Sequence, residues 1–313
     1  MLIPPKLQPG DRIAVLSPAF AAPAAGPEVH EQAMRRLREV TGLVPVEYQT
    51  TRQLDATPAA RAADVNAALA DPKPFLGYSD NTNILNWLWR HGVAGFYGGS
   101  TQVHLGPGPA VDDVHLRALR AALLDGGEVE ITEPGESEDI GRHWDDPAAL
   151  TEYGDREPTE RWTWAGPSAA VTGRTWGGCL EVVNQLALAD LMPSNDELAG
   201  AILMLETSER LTPAHGVAEQ LRAYGERGLL GAVAGVLFAR PAVSSFDVLP
   251  SAHEKAALRA AQRDVVLQTV ERYNPDAVVC VGVPFGHTRP QWILPYGGEV
   301  TLDGAARKVT GVF

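Results

Sequence analysis

The chain has 313 residues, 45% hydrophobic and 21% charged, a length that buries a full core and suggests two domains. Its 26 Lys+Arg against 39 Asp+Glu leave a formal charge of −13, and no basic stripe is present to neutralise phosphates, which argues against nucleic acid as a partner. The opening residues lack a cationic segment followed by a long apolar run, no window approaches about eighteen uncharged apolar residues, and Cys179 and Cys280 supply neither a disulfide framework nor structural-zinc spacing; a cytoplasmic protein with no membrane span is expected.

Arg12–Leu16 reads as a first buried strand and Glu28–Val40 as a helix stopped by Thr41-Gly42. Val44–Tyr48 reads as a second strand and Pro58–Leu69 as a second helix. Phe75-Leu76 then ends at Gly77, Ser79 sits in a polar turn, and Ile84, Leu85 and Leu88 resume helical spacing up to Gly92. Phe96-Tyr97-Gly98-Gly99 looks like the next strand end. Such alternation implies a parallel sheet covered by helices, an α/β fold. Residues 125–167 differ, with twelve Asp/Glu between Glu128 and Glu160, many Gly and Pro, and Trp144, Trp162 and Trp164. They read as a linker or surface excursion between a domain at 1–124 and another at 168–313. Beyond it come a helix at Leu180–Leu188, a strand at Ala201–Leu205, a helix opened by Pro213, and a strand at Gly231–Ala239. A long helix at Ser251–Arg272, a strand at Ala277–Val283 and a hairpin around Gly304 complete the chain.

Three residues follow predicted strands and carry chemistry. Ser79 stands between a strand and a helix N-terminus, as either a cap or a nucleophile, although Asn81 replaces the last glycine of G-x-S-x-G. Glu206 ends Ile202–Leu205 as either a turn cap or a functional carboxylate. Of the eight histidines, His287 alone lies just after an apolar strand in a Gly-rich turn. Triads are defined by geometry and not by chain order, so Ser…Glu…His is permitted here. Gly98-Gly99 and Gly177-Gly178 match no phosphate-loop pattern.

Leu7-Gln8-Pro9-Gly10-Asp11-Arg12, Gly77-Tyr78-Ser79-Asp80, Gly177-Gly178, the Leu203–Glu206 strand, and Gly286-His287 with Leu294-Pro295 downstream occur in this order through most of the chain. In combination they resemble the serine LD-carboxypeptidases and their relatives, the microcin C immunity peptidases. The resemblance implies Ser79 as nucleophile, His287 as general base, Glu206 as the acid orienting it, and the Asp80 amide as an oxyanion donor. It further implies a Rossmann-like N-terminal domain, a swivelling mixed β/α C-terminal domain, an active site between them, and a homodimer. One branch cleaves an L-to-D bond in cell-wall tetrapeptides. The other cleaves the amide joining an aminoacyl group to a modified nucleotide and stacks an aromatic side chain on the base. Trp162 and Trp164 suit that stacking, or else pin the linker; Arg210 suits a substrate anion, or else solvent. The chain departs from the family at Cys179, often Asn there, a change that bears on substrate contact. It departs again at Ala70-Asp71-Pro72-Lys73, where a further strand ending in a Gly-Gly turn is missing, about 30 residues or one supersecondary unit. The resemblance implies a serine peptidase of the microcin C immunity branch that needs no metal or organic cofactor; the alternatives are a muropeptide LD-carboxypeptidase and a non-catalytic ligand-binding relative that lost turnover with the missing segment.

Overall fold

The computed structural model describes residues 1–313. β1 (Arg12–Val15) lies parallel to β2 (Val44–Glu47). Between them run the single turn α1 (Ala22–Ala25) and α2 (Pro27–Thr41), whose Val29, Ala33, Met34 and Leu37 recur at helical spacing and are buried. α2 ends at Gly42, whose φ of 73° is left-handed and whose amide donates to the Arg38 carbonyl. Glycine enters that region without the Cβ clash other residues meet. α3 (Pro58–Leu69) starts with proline in its first turn, and the Thr57 hydroxyl accepts the Ala60 amide. β3 (Leu76–Gly77) lies parallel to β4 (Gly95–Tyr97), with α4 (Thr82–Arg90) between them, and α5 (Asp113–Arg120) follows.

Residues 125–167 are built into the fold more firmly than a linker requires. They hold β5 (Glu128–Ile131), a short ladder of β6 (Glu136–Ser137) with β7 (Glu157–Pro158), and β8 (Thr163–Ala165). β5 and β8 form the two edges of an eight-stranded sheet. The acidic side chains are also engaged: Asp139, fully buried, accepts Arg240 at 2.7 Å and Arg259 at 2.8 Å, while Glu157 and Glu160 bond the same two guanidinium groups. The acid run reflects a buried ionic clamp, where each charge has a partner that repays its desolvation.

The centre of that sheet is β9 (Ala170–Cys179), β10 (Ile202–Glu206), β11 (Gly235–Ala239) and β12 (Val278–Val283), all parallel. The connections carry α6 (Leu180–Leu188), α7 (Ala214–Glu226) with the short α8 (Leu229–Ala232), and α9 (Ala252–Tyr273). Every residue of β10 and β11 is buried, as expected of parallel strands covered on both faces. Of the last three strands, β13 (Leu294–Tyr296) pairs antiparallel with β4, setting Leu294 opposite Tyr97. β14 (Glu299–Asp303) and β15 (Lys308–Val312) form the expected hairpin and join the large sheet through β9 and β5.

The fold is α/β, with its N-terminal parallel strands divided between two small sheets: β1–β2, and β13–β4–β3. The C-terminal end of β1 and the whole of β3 line one cleft. The division falls where the chain before Ser79 is short, so β1 and β3 are not bridged by a further strand. No helix is long and apolar enough to cross a membrane.

Candidate active site

Ser79, Glu206 and His287 all arise at the carboxyl ends of parallel strands, where an open α/β sheet presents side chains to a crevice. Ser79 follows β3 after Tyr78 and opens a short 3-10 turn, Ser79–Asn81, that leads into α4. Its φ is 58°, a left-handed conformation uncommon for a residue with a side chain and a mark of functional turns. The hydroxyl caps neither the 3-10 turn nor α4, both of which start without a side-chain cap. The Ser79 amide donates to the Tyr97 hydroxyl at 3.3 Å.

Glu206 is fully buried at the end of β10. It accepts the Tyr97 hydroxyl at 2.5 Å on Oε1 and is bonded to His287 Nδ1 at 2.7 Å through Oε2. Gly286 makes that approach possible, because a Cβ there would stand 2.7 Å from the Glu206 Cβ. The second ring nitrogen, Nε2, lies 3.0 Å from Glu209 Oε2, and the Tyr78 ring packs 4.9 Å from the imidazole. Burial by itself would press the His287 pKa down; Glu206 first, then Glu209, outweigh it and hold the ring up to about 10. The hydrogen bond from His287 in turn holds the Glu209 carboxyl down at about 2.

Ser79, Asp80, Glu209 and His287 line one cleft of about 640 Å³. The Phe, Tyr and Trp side chains at this cleft are Phe20, Phe75, Tyr78, Trp144 and Phe246, the last stacked on His143 at 3.7 Å. Trp144 crosses close to the start of α2, where a Cβ on Gly26 would lie 2.6 Å from the Trp144 Cβ. The other residues singled out from sequence lie elsewhere. Trp164 pairs with Cys280 in the large sheet, and Trp162 and Trp164 both pack on the core. Cys179 is buried at 2% exposure, its amide donating to Thr82 Oγ1 and its thiol to Glu181. Arg210 is exposed and does not line the cleft. The apolar face of a strand and the stacking face of a cleft look alike in sequence, so the choice among the three tryptophans of residues 125–167 depended on packing. Tyr97 and Glu209 carried no sequence signal beyond their position beside a strand end. No group of three or more His, Cys, Asp or Glu side chains is placed to hold a metal ion.

Residues 172–302 match the family model of the LD-carboxypeptidase C-terminal domain. Over that stretch the chain is similar to the C-terminal domain of the LD-carboxypeptidases. No curated protein matches the chain in sequence. Solved structures do match it in fold over nearly the whole length. MccF, the microcin C7 self-immunity protein, in complex with aspartyl sulfamoyl adenosine superposes with a TM-score of 0.82 at 19% identity, covering 100% of this chain and 99% of the other. An MccF-like protein from Streptococcus pneumoniae in complex with AMP gives 0.78 at 19% identity over 96% and 98%. An MccF-like protein from Bacillus anthracis gives 0.80 at 19% identity over 100% and 99%. At these identities the likeness is one of fold.

Tyr97 joins the serine turn to the carboxylate. Tyr97→Phe removes the hydroxyl that meets both the Ser79 amide and Glu206 Oε1, leaving a buried carboxylate oxygen without a donor. A loss of about 1–3 kcal/mol of folding stability is expected, measured by urea denaturation of the two proteins.

Proposed function

We propose that the chain is a serine peptidase that cleaves the amide between an aminoacyl group and a modified nucleotide, with residues 1–124 and 168–313 as its two lobes. The observation that carries this reading is the buried Glu206–His287 pair facing the same cleft as Ser79, whose hydroxyl is not spent on a helix cap. Ser79 Oγ attacks the carbonyl as His287 Nε2 takes its proton. The developing oxyanion is met by the Asp80 amide at the start of α4. His287 then returns the proton to the leaving nitrogen. Water activated through the same ring hydrolyses the acyl-enzyme.

The nucleotide side of the reading rests on Trp144 and Phe246, which line the cleft. Two of the matched structures contain aspartyl sulfamoyl adenosine and AMP, respectively. Base–aromatic stacking is worth roughly 1–3 kcal/mol. Trp144→Ala is therefore expected to raise KM for an aminoacyl sulfamoyl adenosine by about tenfold or more with little change in kcat, while Trp162→Ala acts on stability. Incubation of the protein with aspartyl sulfamoyl adenosine and, separately, with a murein tetrapeptide tests the reading. Release of aspartate from the first supports it. Product from the tetrapeptide alone favours muropeptide cleavage. Saturable binding with no product from either favours the non-catalytic relative.

A further inference from the structure

His287 is held between two carboxylates of different character. Glu206 on Nδ1 is fully buried and tied to Tyr97. Glu209 on Nε2 stands in the loop between β10 and α7, its side chain is 66% exposed, and His287 is its sole ion-pair partner. Most other ionic groups of the cleft are already paired: Lys73 with Asp71, Arg142 with Glu152, Arg289 with Asp112, and Asp139 with Arg240 and Arg259. Around the ring stand Tyr78 from the serine turn and, behind it, His104, whose ring lies 5.6 Å from Tyr78. Neither offers a charge that would draw Glu209 away.

A ring with a carboxylate beside each nitrogen is held as an imidazolium, and an imidazolium has no lone pair with which to accept the Ser79 proton. Glu209 must leave Nε2 before the triad works. We propose that Glu209 is a specificity-determining residue that reads a free α-ammonium on the acyl side of the scissile amide. The proposal rests on the serine-peptidase reading and narrows its substrate class to aminoacyl over peptidyl amides. In an aminoacyl amide the ammonium sits on the carbon next to the attacked carbonyl. A carbonyl placed over Ser79 and His287 therefore carries that cation to the carboxylate beside Nε2. Glu209 exchanges one cation for another, the Nε2 proton passes to solvent, and the neutral ring faces the serine. In a peptidyl amide the same nitrogen is an uncharged amide, and no exchange follows.

Calorimetric binding of aspartyl sulfamoyl adenosine and its N-acetyl form to wild-type protein and to Glu209→Gln tests this without turnover. The wild type is expected to prefer the free amine by about tenfold, the equivalent of one pKa unit of charge interaction, and the variant to bind the two about equally. In parallel, NMR titration of the His287 ring in the substrate-free proteins is expected to show a lower pKa in Glu209→Gln. Where turnover is measurable, the acid limb of kcat/KM moves to lower pH in the variant. An amine preference that survives in Glu209→Gln overturns the proposal, whether or not the protein cleaves either compound. Absence of cleavage with the preference intact in wild type and lost in the variant overturns only the peptidase reading.

Discussion

Replacing Ser79 by alanine is expected to lower turnover of an aminoacyl sulfamoyl nucleotide by roughly 10³-fold or more. The magnitude follows from losing the atom proposed to form the acyl-enzyme, since the remaining groups can only bind and polarise the amide. The fold should survive the change, because the Ser79 hydroxyl makes no structural hydrogen bond and its side chain lines the cleft. Ser79→Gly is a useful companion. At φ 58° glycine relieves a strain on the order of 1 kcal/mol, so this variant should be more stable than Ser79→Ala and equally slow. Rates are read from nucleoside release and stabilities from thermal unfolding. Near-wild-type turnover in both variants would remove Ser79 from the mechanism.

Glu206→Gln has the next largest expected effect. The carboxylate accepts from two sides, Tyr97 on Oε1 and His287 Nδ1 on Oε2. A glutamine keeps the shape and turns one of those acceptors into a donor. With the amide oxygen toward Tyr97, the NH2 faces Nδ1 and moves the ring proton to Nε2, the wrong tautomer to receive a proton from serine. A fall in kcat of about 10³–10⁴-fold is expected. The change has a stability signature as well. Burial opposes the charged ring, but Glu206 and Glu209 raise the His287 pKa from its ordinary value to about 10. A raised pKa stabilises the fold below the unfolded value and loses that contribution as pH climbs toward the folded one. The stability difference between wild type and Glu206→Gln should therefore be largest below the ordinary histidine pKa, about 6.5, and shrink as pH rises toward 10, measured by urea denaturation across that range. A difference constant with pH would show that the ring is neutral throughout.

Much of the fold could be read along the chain because its determinants are local. Thr57-Pro58, Gly42 and the buried spacing of α2 act within one or two turns, and α3 and α6 have the expected bounds. Boundaries moved where a neighbour intervenes. Gly231–Ala239 reads as one apolar strand, yet Leu229–Ala232 is helical and β11 starts at Gly235, since pairing with β10 and β12 selects only its second half. The acidic stretch at 125–167 shows the other limit. Its composition reads as solvated, whereas Arg240 and Arg259 lie about a hundred residues on and turn it into a buried clamp.

Ser79, Glu206 and His287 could be singled out from sequence as candidates because each follows an apolar strand, and the carboxyl end of a parallel strand is where this architecture exposes side chains. Which groups surround them could not. Tyr97 reaches Glu206 across 109 residues and Glu209 meets His287 from a different strand end. Trp144 faces the cleft, while Trp164 is built into the sheet. Strand ends and helix stops follow from short-range sterics and periodicity, which the residue order states directly. Tryptophan placement and the charge state of His287 follow from through-space packing and desolvation, which exist only once the distant strands have met.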